Sequence, residues 1–379
     1  MAKMTVKEQE AYLKKLIEYA DRIKSDKSLV DSILKEHLCN VPHKKLYKFR
    51  TCSNQNFKTL EENCIWMPPA NTFKDTFDCT INIDFNKNMP QIETWLHDNL
   101  LDFYFVFVKD FFESRGISFP YNLDDLRNYA EECVSPSGKI KSTSEYRFLK
   151  KYAPDIDSEE YDRQISDMRK KRSQVERQLT DRVKSLVPKL LDEIQKAQLH
   201  LRDTMLVYCM TERFDNHNLW ETYANNYSGF CIEYCFDNFE EKDFDIYKNL
   251  IYLLPMIYKK NIPHFDMVPF LDIAVRKSIL HEDGLEQNPD LLVALNMQVF
   301  YKNKDYESEH EWRFSIEDKN NCKQPFPFVS GIYAGKNIKP RNLQRLRNIA
   351  GKLGVPIYCQ VQNKSNNGYN YIPVQEVTK

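Results

Sequence analysis

A charged block in the middle of the chain is the sequence feature that most constrains the fold. Between residues 157 and 200, apolar residues recur at steps of three, four and seven in an otherwise charged sequence. That pattern indicates one long amphipathic helix or a helical pair. On either side of the block, short apolar runs of strand length alternate with short helical patterns. Because both flanks share this style, we interpret the wider region 111–202, which contains the block, as a helical insertion into one composite α+β domain.

This interpretation predicts four consecutive regions. They are N-terminal helices at 1–40, a first part of the α+β core at 41–110, the helical insertion at 111–202, and a second part of the core at 203–379. Strands are expected at 46–49, 64–67, 203–212 and 230–236, and longer helices at 91–114, 266–302 and 340–352. The helices at 157–200 also offer a surface for self-association.

Composition excludes several functional classes. Hydrophobic residues make up 42% of the 379 residues, which is typical of a globular protein. Only nine glycines occur, and neither G-x-G-x-x-G nor a Walker loop is present, so a Rossmann dinucleotide site and a P-loop are not expected. The net charge of −1 gives no general nucleic-acid signature. No apolar run reaches membrane-spanning length, so no membrane association is expected.

The cysteines and histidines give no metal signature. The ten cysteines are spread along the chain without a C-x-x-C pair, and the eight histidines are scattered. No Cys/His cluster has zinc spacing, and no metal is predicted. The polar N-terminus lacks an apolar signal core, so we expect reduced thiols in a cytoplasmic protein.

The segment "ESEHEWRF" at 307–314 carries the densest functional signal. As a strand it would place alternate residues on one polar face and the residues between them on an apolar face. The polar face would carry Glu307, Glu309, Glu311 and Arg313. Such a face is either a surface ladder paired within itself or a site, and we expect a site with Glu311 at its centre.

Other predicted strands also end in polar or aromatic residues. These additional site candidates are Arg50, Asn71, Asp75, Thr211, Trp220 and Tyr223. For each a structural interpretation stays open. Arg50 would pair with Asp75 or Asp78, and the two aromatic residues would belong to the core.

The order of these motifs resembles an uncharacterised, mainly bacterial family, domain of unknown function 2971. The matching segments are Leu46–Arg50, Asn71–Asp78, Cys209–Glu212, Trp220–Glu233, Glu309–Arg313 and Ile332–Gly335. The chain departs from the family at Met210 and Thr211, where Phe-Ser is commoner, and at Thr76, where Pro is usual. The resemblance implies a bacterial or phage setting and no particular activity.

A second resemblance supplies chemistry. Arg on a first strand, Ser or Thr on a second and Glu-x-Glu on a later strand is similar to ADP-ribosyltransferase-like domains. This resemblance implies an α+β fold with a mixed or antiparallel sheet core, and NAD as the substrate. ADP-ribose would pass to a macromolecular acceptor that the sequence does not identify.

The same resemblance implies a role for each candidate. Arg50 would hold a phosphate or ribose of NAD, and Thr211 would orient the carboxylate. Glu311 would stabilise an oxocarbenium-like transition state, and Glu309 would activate the acceptor. Trp220 or Tyr223 would stack on the nicotinamide. The remaining cofactor-binding candidates are Asn71 and Asp75.

Two other functions stay open at this point. One is a non-catalytic sensor or interaction module, in which the candidate residues form a structural network and the helical insertion binds a partner. The other is a metal-dependent hydrolase or nuclease with magnesium bound by Asp75, Asp78, Glu309 and Glu311.

Overall fold

A computed structural model gives the fold of most of the chain outside the predicted insertion. Apart from scattered positions between 109 and 196 and residue 294, it describes residues 5–23, 27–73, 75, 78–84, 86–92, 94–95, 198–237, 248–275, 297–317, 321–363 and 369–374. The chain forms two compact units, one of residues 1–82, 197–263 and 292–379, the other of residues 83–196 and 264–291. The predicted insertion at 111–202 and its helices at 157–200 lie mainly outside the described residues, and their boundaries stay a prediction.

The first unit is built on a large, mostly antiparallel sheet, which confirms the predicted α+β class. Its eight strands follow the order β12-β11-β10-β4-β1-β3-β8-β5. Their bounds are β1 Lys45–Arg50, β3 Met205–Thr211, β4 Phe230–Cys235, β5 Leu253–Pro255, β8 Glu311–Glu317, β10 Val329–Ala334, β11 Ile357–Gln362 and β12 Tyr369–Pro373. In this sheet β10 and β11 are parallel, and the other neighbours are antiparallel.

Two small sheets complete the strand inventory of the described residues. The first pairs β2 (Cys64–Trp66) with β9 (Lys323–Pro325) in antiparallel orientation. The second pairs β6 (Ile257–Lys259) with β7 (Tyr301–Asn303) in parallel orientation.

The helices have boundaries that follow from their sequences. They are α1 Val6–Ile23, α2 Lys27–Cys39, α3 Asn54–Glu61, α4 His217–Thr222, α5 Val268–Val275 and α6 Pro340–Leu353, with α5 in the second unit. The side chain of Asn216 accepts a hydrogen bond from the Leu219 backbone N–H and caps α4. Pro340 opens α6, and Gly354 ends it in the left-handed region at φ 68°. None of the described helices is both long and apolar enough to cross a membrane.

The two faces of the sheet have different surroundings because side chains alternate along each strand. One face is covered by the main core, a cluster that includes Leu46, Ile232 and Phe314. The opposite face carries a separate aromatic cluster, in which α4 contributes Leu219 and Trp220. The candidate site lies on this second face, because alternation places Thr211 and Glu311 there.

The sheet opens between β1 and β3. These strands share one residue pair, Tyr47 with Thr211, whereas β1 and β4 pair over six residues. Beyond that pair, the Lys48 ammonium donates to the Cys209 carbonyl at 2.5 Å. Further along, the Val207 backbone N–H donates to the Pro68 carbonyl at 3.1 Å. A side chain and a loop therefore replace the missing strand pairing and leave an opening at this position.

The predicted strand across residues 307–313 is wrong in its first half. Lys304–Glu309 is a 3₁₀ helix, whose first turn is capped by the Asn303 side chain. His310 then adopts a left-handed conformation at φ 45°, and β8 begins at Glu311. The Asn303 side chain accepts a hydrogen bond from the Asp305 N–H, which favours a turn over an extended run.

Candidate functional site

A cavity of about 660 Å³ lies at the opening between β1 and β3. Its walls come from β1, from residues between 68 and 78, from β3, from α4 and the residue that follows it, and from the segment 302–311. The predicted candidates that line it are Asp75, Thr211, Tyr223, Glu309 and Glu311. Five candidates that are far apart in the sequence therefore share one cavity.

Glu311 is the centre of a charge network. Its side chain is only 6% exposed. One carboxylate oxygen accepts from Lys302 Nζ at 2.5 Å, and the other accepts from Arg313 Nε at 2.6 Å. Lys302 also donates to Glu309 at 2.7 Å, so the two glutamates of Glu-x-Glu share one ammonium. The Tyr258 hydroxyl accepts from the Glu311 backbone N–H at 2.8 Å and fixes the start of β8.

Arg313 extends the network to the other side of Glu311. Its side chain has no exposed surface, so the alternative of a surface ladder is wrong. The guanidinium forms a two-pronged ion pair with Asp78, with Nη1–Oδ1 and Nη2–Oδ2 distances of 2.8 and 2.9 Å. It also donates to the Val299 carbonyl at 3.3 Å. Three carboxylates face two cations in this network, which leaves a net charge of −1 beside the cavity.

The network keeps Glu311 ionised. Burial disfavours its charged form, but the charges of Arg313 and Lys302 and their hydrogen bonds outweigh burial and hold the pKa well below its usual value. Burial also opposes the charge of Lys302, yet Glu311 and Glu309 raise its pKa above the ordinary range for lysine. At neutral pH the carboxylate is therefore an anion that is held rigidly by two cations.

Thr211 positions the segment that carries Glu309. Its hydroxyl donates to the Glu309 carbonyl at 2.7 Å and accepts from the Arg213 backbone N–H at 3.2 Å. Both hydrogen bonds go to main chain, so the hydroxyl connects the end of β3 to the 3₁₀ helix. This contact orients the carboxylate segment through the backbone.

The two aromatic candidates lie in different surroundings. Tyr223 lines the cavity with 52% of its surface exposed. Trp220 has no exposed surface, packs edge-on against Phe49 and stacks on Tyr227. Its indole N–H donates to the Phe214 carbonyl at 2.8 Å. Trp220 is therefore a core side chain that anchors α4, and the prediction that it stacks on a ligand is wrong.

The structure places two other candidates outside the cavity wall. Arg50 lies over the Tyr208 ring, with its guanidinium carbon 5.1 Å from the ring centroid. Asp78, one of the two partners that the structural alternative offered for Arg50, pairs with Arg313 instead. Asn71 is exposed and donates to Asp203 at 2.7 Å.

Two lysines of the cavity are absent from the sequence-based candidates. Lys48 and Lys302 both line it. The signal for Lys48 was present in "KLYKFR", where a lysine occupies an inner position of a strand between Tyr47 and Phe49. Lys302 follows from no local pattern, because its partners Glu309 and Glu311 meet it only in the folded chain.

Comparison with protein families gives one match. Residues 219–314 match the family described as protein of unknown function (DUF2971). The DUF2971 segment begins in α4 and ends in β8, so it includes Tyr223, Glu309 and Glu311. The family resemblance is thereby confirmed for this segment. Comparisons with curated proteins and with solved structures returned no match.

The carboxylates near the DUF2971 segment do not form a metal site. Across the described residues, no group of three or more His, Cys, Asp and Glu side chains is placed to hold a metal ion. Asp78 and Glu311 are both engaged by Arg313, and Glu309 by Lys302. To bind a magnesium ion, these carboxylates would first have to break their ion pairs with Arg313 and Lys302. The geometry therefore does not favour the metal-dependent hydrolase.

Proposed function

We propose that the protein binds NAD in the cavity between β1 and β3 and cleaves its nicotinamide–ribose bond, transferring ADP-ribose to an acceptor. The observation that carries the proposal is the placement of Thr211, Tyr223, Glu309 and Glu311 around one cavity. Its volume of about 660 Å³ lies within the range of small-molecule sites.

The charge network suits the electrostatics of this reaction. The bond from ribose C1′ to the nicotinamide nitrogen breaks, and nicotinamide leaves with the bonding electron pair as a neutral base. The positive charge that remains is shared between C1′ and the ring oxygen of the ribose. An ionised Glu311 in a network with net charge −1 stabilises that charge without having to reorganise.

Two neighbouring side chains supply the remaining functions, which are acceptance of a proton and binding of the nicotinamide ring. Glu309 is the more exposed of the two glutamates, with 21% of its side chain accessible, against 6% for Glu311. It accepts the proton of the acceptor nucleophile as the new bond to C1′ forms. Tyr223 offers an exposed ring on which the nicotinamide stacks.

Nicotinamide release from NAD by the purified full chain tests the proposal. We expect release by the wild type and at least a hundredfold loss in Glu311→Gln, since electrostatic groups of this kind contribute roughly that factor or more. Glu317→Gln is the matched control, because Glu317 lies on the same strand but away from the cavity. Its activity should equal that of the wild type.

Two further variants keep the test informative if Glu311→Gln fails to fold. Glu309→Gln should lower kcat, whereas Tyr223→Ala should mainly raise KM because it removes a stacking surface. Both residues are at least partly exposed, so the fold should tolerate the changes. Wild-type protein that binds NAD but releases no nicotinamide in the presence of candidate acceptors would refute the catalytic role.

One observation favours a second candidate, a non-catalytic sensor of the same ligand. Both oxygens of Glu311 already have cationic partners, which is also what a structural network would need. A sensor would bind NAD and ADP-ribose without turnover. In that case Glu309→Gln would change affinity alone.

A further inference from the structure

Two cationic side chains share one aromatic ring at the opening of the sheet. Lys48 Nζ lies 5.0 Å and the Arg50 guanidinium carbon 5.1 Å from the centroid of the Tyr208 ring. The ring attracts both cations, but it carries no net charge to neutralise them. Because both lie about 5 Å from the same point, the two cations are at most about 10 Å apart.

In the part of the chain that the structure describes, no carboxylate is in contact with either cation of this pair. Neither Lys48 nor Arg50 forms an ion pair with a described residue. Other half-buried or buried cations of this unit do, since Lys45, Lys302 and Arg313 each meet a carboxylate within 3 Å. Lys48 forms part of the cavity wall, and Arg50 lies outside that wall over the same Tyr208 ring. Partly buried charges without an ion-pair partner are costly, so an anionic group of a ligand beside Lys48 would be favourable.

Donors are available for such an anion. Lys48 uses one of its three N–H donors on the Cys209 carbonyl. The Arg50 guanidinium has five N–H donors in a planar fork, and none of them makes a hydrogen bond to a described residue. A phosphoryl group, with several acceptor oxygens and a full negative charge, matches this donor set.

We propose that Lys48 binds a phosphoryl group of the ligand in the cavity, with Arg50 as the second cation beside it. The inference rests on the proposed function, and it fixes the orientation of NAD. The pyrophosphate lies at the opening between β1 and β3, and the cationic nicotinamide end points toward Glu309 and Glu311. The cavity wall thus carries both cations and carboxylates, which complement the pyrophosphate and the cationic nicotinamide ring of the ligand.

The site has a built-in pH dependence. The groups that face Lys48 are Arg50 from β1, Tyr208 and Cys209 from β3, and the two glutamates from the segment that leads into β8. Burial and the neighbouring Arg50 charge lower the pKa of Lys48 to about 8. Roughly nine-tenths of the amine is therefore charged at pH 7 and only a few per cent at pH 9.5. A bound anion favours the charged form, so binding takes up a proton near pH 8.

Neighbouring groups whose pKa is displaced do not obscure this change. Burial raises the pKa of the Cys209 thiol well above this interval. Glu311 stays ionised throughout it, since its pKa is held well below the usual value. The loss of anion affinity between pH 7 and 9.5 should therefore report on Lys48.

Calorimetric titration of the full chain tests the inference. The probes are inorganic phosphate, inorganic pyrophosphate, ADP-ribose and nicotinamide, and the proteins are wild type, Lys48→Met and Lys48→Arg. We expect ADP-ribose and pyrophosphate to bind about 10- to 100-fold more weakly to Lys48→Met, the range for a charge-assisted hydrogen bond. Nicotinamide affinity should not change, and Lys48→Arg should retain anion affinity. Lys304→Met, an exposed lysine, is the control for the change in net charge.

Wild-type protein supplies a second readout that needs no variant. Titrations in two buffers of different ionisation enthalpy should reveal proton uptake on ADP-ribose binding, with a maximum near pH 8. Unchanged anion affinity in Lys48→Met, or no proton uptake by the wild type, would overturn the inference. Binding of pyrophosphate but not of ADP-ribose would assign the site to a free phosphate compound and would also overturn it.

The outcomes separate this inference from the proposed function. Anion binding through Lys48 without nicotinamide release would keep the phosphoryl subsite and refute catalysis. Nicotinamide release with a KM for NAD that is the same in Lys48→Met would keep catalysis and refute the subsite.

Discussion

Removal of the Arg313 guanidinium should be among the most destabilising changes in the first unit. Arg313→Met leaves Asp78 without its two-pronged partner and Glu311 with only Lys302. Both carboxylates are largely buried, and breaking a buried ion pair by removing one partner costs about 3–5 kcal/mol. At about 2–4 °C per kcal/mol, the melting temperature should fall by roughly 6–20 °C.

Urea and thermal unfolding of the full chain measure this effect. Arg213→Met is the matched control, because Arg213 also forms a two-pronged ion pair, with Asp215 at 3.0 and 3.1 Å. That pair is about half exposed on both sides, so its loss should cost no more than about 1 kcal/mol. The double variant Arg313→Met with Glu311→Gln should recover part of the loss, because it removes one uncompensated carboxylate. Equal costs for Arg313→Met and Arg213→Met would refute the view that the network is buried and tightly coupled.

Two further predictions concern the scaffold. Burial lowers the pKa of His37 from 6.5 to about 4. As the pH falls, the unfolded chain therefore binds a proton before the folded chain does. The free energy of unfolding should drop by on the order of 3 kcal/mol between pH 6.5 and 4. His37→Gln should lack this part of the pH dependence in urea unfolding, and the same slope in both proteins would contradict the assignment. A Cβ at Gly229 would lie 2.2 Å from the Arg50 carbonyl, so Gly229→Ala should lose at least about 2 kcal/mol or fail to accumulate as folded protein. A Cβ added at Gly351 inside α6 would meet open space, so Gly351→Ala should instead gain up to about 1 kcal/mol. Similar unfolding midpoints for the two alanine variants would count against the close approach at Gly229.

Much of the fold follows from local patterns. The strands predicted at 46–49 and 230–236 correspond to β1 and β4, and the helix predicted at 340–352 corresponds to α6. Each has strong alternation or helical periodicity within its own residues. The conformation of the segment 304–309 was harder to predict, because its glutamates alternate as in a strand. The structure instead has a 3₁₀ helix that is capped by the Asn303 side chain. A single side-chain hydrogen bond outweighed the alternation there.

The site was only partly predictable for a different reason. Thr211 and Glu311 share a cavity because the ends of β3 and β8 carry them to one face, which the strand pattern already indicated. Glu309 reaches the same cavity from the 3₁₀ helix, and Tyr223 reaches it from the end of α4. Lys302, which completes the site, lies seven and nine residues from its partners Glu309 and Glu311 and matches neither strand nor helix spacing. Lys302 meets Glu311 because β7 and β8 are brought together in space, and a single sequence does not encode that pairing locally.

The separation of β1 from β3 was not predictable from sequence either. Both segments have ordinary strand patterns, yet they pair at one position only. On the register that pairs Tyr47 with Thr211, β1 ends opposite Tyr208, and the Pro68-Pro69 loop follows along β3 at Leu206 and Val207. Two segments that are far apart in the sequence therefore lie along β3 on either side of the opening.

A crystal structure of the chain with a non-hydrolysable NAD analogue would show directly where the ligand binds. We expect the analogue to occupy the cavity at the opening between β1 and β3. Its nicotinamide ribose should lie within hydrogen-bond distance of Glu311, and its pyrophosphate should contact Lys48. An analogue bound elsewhere, or bound in this cavity with its nicotinamide ribose remote from both glutamates, would contradict the proposed function.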